Sequence, residues 1–157
     1  MKAVSLVLRL SRRAIGAVTL SNESLTLADG RHLTSKAERS VMAARRCATS
    51  WLIYTKATRL IIDAPPDAPG TTASRVLAVL EELAREHGVS VFRVHRTEIL
   101  QGYGSPGLGS RKELRTLVRE FFSELQGVRG SVQPYVVDAA AAALYAECQL
   151  ALSPPHV

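Results

Sequence analysis

The chain has 157 residues, 46% of them hydrophobic and 22% charged, which excludes wholesale disorder and suffices for one domain with a real core. Twenty Lys and Arg against 14 Asp and Glu leave a formal charge of +6. That balance favours polyanionic partners, because each neutralised phosphate releases counterions.

Val4 to Leu10 and Ala14 to Leu20 read as two antiparallel strands around Ser11-Arg12-Arg13. Arg9, Arg12 and Arg13 interrupt the apolar start, which argues against a signal peptide and for a cytoplasmic protein, with an organelle matrix left open. A third strand is expected over Ser24 to Ala28, turning at Asp29-Gly30 and returning through Arg31 to Leu33. Ser35-Lys36-Ala37-Glu38 has the form of a capping box. It would open a long helix with Ala37, Val41, Ala44, Ala48 and Leu52 inward.

Leu60-Ile61-Ile62-Asp63 is a short apolar run of the kind buried on both sides of a sheet, broken by the proline-rich segment Ala64 to Gly70. Thr71 to His87 reads as a helix with Val76, Leu77, Leu80, Leu83 and Ala84 inward and Gly88 behind it. Val89 to Val94 is the next strand, and the short joints imply parallel pairing. One or two helical turns are expected over Thr97 to Gln101, then a glycine loop from Gly102 to Gly109. Ser110 to Glu113 is a second capping box, for a helix reaching about Leu125 with Leu114, Leu117, Val118, Phe121, Phe122 and Leu125 inward. Pro134 precedes an alanine-rich helix from Tyr135 to about Leu152, and residues 153–157 read as a disordered tail to a single domain spanning residues 1–152.

No segment approaches the ~18 apolar residues of a membrane span. Cys47 and Cys148 lack ligand spacing and read as thiols in a reducing compartment. The glycine loop lacks the lysine and strand-to-helix setting of a P-loop. His32, His87, His95 and His156 are dispersed with no partner pattern, and Ser11, Ser110 and the cysteines have no base nearby in sequence, so nucleophilic catalysis has no support.

The order of elements, with Ser11-Arg12-Arg13-Ala14-Ile15-Gly16, Leu60-Ile61-Ile62-Asp63, the run Thr97 to Arg119 and Val137-Asp138 to Leu144, resembles the RuvC-type Holliday junction resolvases of the RNase H-like superfamily. The related YqgF-type pre-rRNA nucleases share the crossover. The resemblance implies an α/β fold, a mixed five-stranded sheet with an antiparallel first hairpin and helices on both faces. It also implies a magnesium- or manganese-dependent endonuclease acting as a homodimer on branched DNA, and structured RNA stays open as a partner.

Members of that family place one acid on the first strand, one at the end of the fourth and two on the last helix. Asp63 and Asp138 match two of these places as catalytic and metal-binding residues. The second helix position is Ala141, and the first-strand position falls at Arg9 to Ser11. Two divalent ions ~4 Å apart need such carboxylates, and a fixed cation beside them is repulsive. Asp63 could alternatively cap the proline loop and Asp138 favour its helix dipole, or Arg9 could pair with either and turn a metal site into a salt bridge. Asp29, Asp67, Glu23 and Glu98 are candidate replacement ligands.

Arg111, Arg115 and Arg119 recur every four residues beside Lys112, opposite the apolar stripe, as a phosphate-binding face. A solvated face paired with Glu113, Glu120 and Glu124 is the alternative. Arg9, Arg12 and Arg13 join the expected nucleic-acid contacts, and Tyr103 would stack on an unpaired base. Three functions follow: a nucleic-acid-binding protein with a degenerate nuclease site, an active resolvase, or a structural subunit of a ribonucleoprotein or larger protein assembly.

Overall fold

The computed structural model describes residues 3–22, 24–65, 69–103 and 111–152. Glu23, Asp67, Ser110 with its capping box, most of the glycine loop and the tail at 153–157 lie outside the described residues.

Strands β1 (Ser5–Leu10), β2 (Ala14–Ser21), β3 (Ser24–His32), β4 (Arg59–Asp63) and β5 (Ser90–Val94) form one sheet in the order β3-β2-β1-β4-β5. β1 pairs antiparallel with β2 and parallel with β4, and β4 pairs parallel with β5. This is the expected mixed sheet. Side chains alternate across it. Leu6, Leu8 and Leu10 face a core shared with helices α1 (Ala37–Thr55) and α2 (Thr72–Glu86). Val7, Val18 and Ile61 face the opposite core, shared with α4 (Arg111–Phe121) and α5 (Gln133–Leu152). A short helix α3 (Arg96–Gly102) follows β5. No helix among the described residues is long and apolar enough to cross a membrane.

Several local expectations fail for tertiary reasons. Asp29-Gly30 makes no turn, because β3 continues to His32 in register with β2. Gly30 lies where α5 crosses, and a Cβ there would sit 2.9 Å from the Val132 Cβ. Its cross-strand partner Gly16 lies under the Tyr135 carbonyl, which any Cβ would overlap. The pair marks a close backbone approach, for which glycine is required. Asp29 instead accepts from Gly30 N and Trp51 Nε1, at 2.8 and 2.9 Å.

The first capping box also does not form. Lys36 occupies the cap position of α1 without a side-chain cap, while Ser40 Oγ and the Thr34 backbone bond each other in both directions, at 3.0 and 2.8 Å. α4 stops at Phe121, because Phe122 turns extended to bury itself and the 3₁₀ turn Ser123–Gly127 then buries Leu125. Leu117 and Phe121, expected inside, are 41% and 54% exposed. α5 begins at Gln133, with Pro134 in the first turn, where its missing N–H costs nothing. Val136 to Ala143 are all buried, so α5 is packed all round, and its alanines let it lie close on the sheet.

Candidate functional site

Parallel strands bring their C-terminal ends to one pole of a sheet. β1 and β4 are paired so that Arg9 stands beside Asp63, both on the face turned towards α5. Gly16 flanks Arg9 on its other side, and the close approach of α5 over that glycine carries Asp138 onto the same spot. Asp63, Asp138 and Arg9 are 0%, 1% and 7% exposed.

Buried charges must be paired, and these are. Arg9 Nη1 lies 3.5 Å from Asp63 Oδ1, and Arg9 Nε lies 3.6 Å from Asp138 Oδ2. Arg9 also donates to the Leu10 carbonyl at 3.1 Å. Arg96, first residue of α3, donates to Asp63 Oδ2 and lies 3.8 Å from Asp138 Oδ2. Arg115 of α4 grips Asp138 with both arms of its fork, Nε to Oδ1 at 2.9 Å and Nη2 to Oδ2 at 2.8 Å. Burial pushes the Asp63 carboxyl up, and the guanidiniums of Arg96 and Arg9 pull it back. The bond to Asp138 holds the Arg115 guanidinium further into its charged form.

The donor set does not fit the divalent cations of a nuclease. Among the described residues no group of three or more His, Cys, Asp and Glu side chains stands close enough to hold a metal ion. Where the resemblance would place a first-strand acid, over Arg9 to Ser11, the residue turned to the site is Arg9, whose guanidinium lies within 3.6 Å of both aspartates. A charge pair ~4 Å apart is worth about 4 kcal/mol at an effective dielectric of 20. A divalent ion seated on Asp63 would be repelled by the guanidiniums of both Arg9 and Arg96. Ala141, at the second helix position, is buried, and its carbonyl accepts from the Tyr103 hydroxyl at 2.8 Å.

Of the expected nucleic-acid residues, Arg12, Arg13 and Lys112 are exposed. Arg111 opens α4, but its side chain lies outside the described residues. Arg119 is half-buried, with Nε out of water and without a hydrogen-bond partner. Two expectations need correction. Arg115 does not lie on an outer face, because Asp138 draws it inward. Tyr103 does not offer a free ring for stacking, since it packs against the α5-side core and its hydroxyl is bound to α5. Of the replacement ligands, Asp29 is held by Trp51, and Glu98 bonds Tyr145. Arg96 was missed. Its signal was available, because a basic residue two positions beyond β5 lands at the pole where Asp63 ends β4. A groove of about 840 Å³ lies at the opposite pole, between Val4, Thr19, Tyr54, Arg59 and Glu147, away from both aspartates.

A mixed five-stranded sheet of this order, with helices on both faces, is an RNase H-like fold of the kind seen in RuvC. Thermus thermophilus RuvC, in a structure with Holliday junction substrate, superposes with a TM-score of 0.70 at 15% identity, over 94% of this chain and 96% of that one. The yeast mitochondrial Holliday junction resolvase Ydc2 gives a TM-score of 0.63 at 8% identity, over 95% and 82%. No protein-family model and no curated protein matches the sequence. At these identities the likeness is one of fold.

Proposed function

We propose that this chain is a RuvC-fold protein that binds branched nucleic acid, four-way DNA junctions first, and that its former metal site has become an arginine–carboxylate lock without metal-dependent cutting. The lock carries this reading: Asp63 and Asp138 are each engaged by two or more of Arg9, Arg96 and Arg115. Binding is supported by the likeness to a RuvC solved with junction DNA and by the charge of +6. It is also supported by Arg12 and Arg13, which follow β1 at the pole of the lock. The resemblance adds a symmetric pair as the acting species.

The test is a gel shift of a four-way junction against linear duplex and structured RNA, run with and without magnesium or manganese, followed by a cleavage assay. The expected result is a bound and uncut junction. No preference for the junction, or cutting that disappears in Asp138→Asn, would overturn it.

A second reading, a structural subunit of a larger assembly, draws on Met42, Ile53 and Tyr54, which leave 56%, 65% and 70% of their surface exposed along the outside of α1. Co-purification with large RNA or a stable partner chain would favour it.

A further inference from the structure

We propose that the guanidiniums of the lock, Arg115 foremost, hold the phosphate backbone of the nucleic acid directly, so that fixed arginines do the work for which a nuclease of this fold uses divalent ions. The inference rests on the nucleic-acid reading above and deepens it to one site.

Charge comes first. Four carboxylates around two divalent ions cancel formally. Here Arg9, Arg96 and Arg115 stand against Asp63 and Asp138, and the cluster keeps one positive charge in excess. Buried charge projects further than the same charge in water, because the medium around it screens less. That formal excess favours an anionic ligand at this pole.

Geometry says which residue meets that anion. The side chains are 9% exposed at Arg9, 11% at Arg96 and 25% at Arg115. Arg9 lies deep, and its Nε, 3.6 Å from Asp138, makes no hydrogen bond; it sets the field without touching a ligand. Arg115 forms the rim. It spends Nε and Nη2 on Asp138, which leaves Nη1 for an oxyanion, and its planar fork suits phosphate. Exposed Lys112 precedes it by one helical turn on the same side of α4. Arg12 and Arg13 continue the positive ground from the β1–β2 connection.

A sign follows that a metal site would not give. Asp138 carries a negative charge beside the Arg115 guanidinium that receives the phosphate, so removing that charge strengthens binding. A metal-dependent contact would instead weaken when a ligand carboxylate is lost.

The test is fluorescence anisotropy of a labelled four-way junction in EDTA across 50–200 mM salt, an ordinary range for such titrations. For Arg115→Gln, affinity is expected to fall roughly tenfold and the slope of log K against log salt to shrink by about one. Arg115→Lys should recover most of both. Asp138→Asn should bind several-fold tighter, with no effect of added magnesium; Lys112→Gln, at an exposed position outside the lock, should weaken binding and reduce the salt slope, and keeps the outcome readable if either lock variant does not fold. Wild-type binding with an unchanged slope in Arg115→Gln, or weaker binding in Asp138→Asn, overturns the phosphate contact and leaves the junction-binding reading intact. A wild type that binds no junction removes both.

Discussion

Arg9 and Asp63 are register partners on neighbouring parallel strands, with Arg9 Nη1 3.5 Å from Asp63 Oδ1 and both side chains out of water. A carboxylate at the Arg9 place would repel Asp63 and call for a cation between them. An arginine there supplies that cation within the chain, and Arg96 and Arg115 complete the enclosure.

Breaking this pairing should be costly. Asp63→Ala takes from Arg96 and Arg9, 11% and 9% exposed, one of the two anions they share and leaves both crowded on Asp138. Truncating one partner of a buried pair costs about 3–5 kcal/mol, and urea unfolding should show a loss of that size. A loss below roughly 1 kcal/mol, the scale of a surface pair, would mean that the lock adds nothing to folding.

Divalent ions should leave the protein unmoved. Thermal melts in EDTA and in millimolar magnesium or manganese should coincide, and calorimetric titration should give no binding heat, since any ion on Asp63 meets Arg9 and Arg96. A clear upward shift in melting temperature that vanishes in Asp63→Ala would show a living metal site.

Gly16→Ala should destabilise strongly despite its small size. The new methyl runs into the Tyr135 backbone carbonyl, which can yield only if α5 rises off the sheet. Overpacking of this kind costs about 1–3 kcal/mol or more. Gly127→Ala, where nothing lies within 4 Å, is the control.

The two thiols should separate in labelling. Burial pushes Cys47 up to about 11, which leaves roughly 1% thiolate at pH 9, and only the thiolate attacks. Cys148 is exposed. One thiol per chain should therefore react quickly with a disulfide reagent at pH 8 to 9, and mass mapping should find it at Cys148. Fast reaction at Cys47 would mean that α1 opens far more readily than its packing allows.

The order of elements, the parallel β4–β5 pair, the inward faces of α1 and α2 and the places of Asp63 and Asp138 were legible in the residues themselves. Each rests on periodicity or on a short apolar run, which are local properties of the chain. The absence of an acid before Glu23 was equally plain, and it pointed to Arg9 as a salt-bridge partner. What could not be read locally was where long side chains end. Arg115 has the spacing of an outer face, yet the pull of Asp138 some twenty residues later draws it inward. Asp29-Gly30 has the composition of a turn, yet stays in β3 because α5 crosses there. Pattern along one element fixes which way it faces, whereas the reach of an arginine and the need for a glycine are set by whatever another element brings within a few ångströms. So the fold and the two acids were written in the sequence, and only packing, through the compulsion to neutralise buried charge, decided that three arginines close around them.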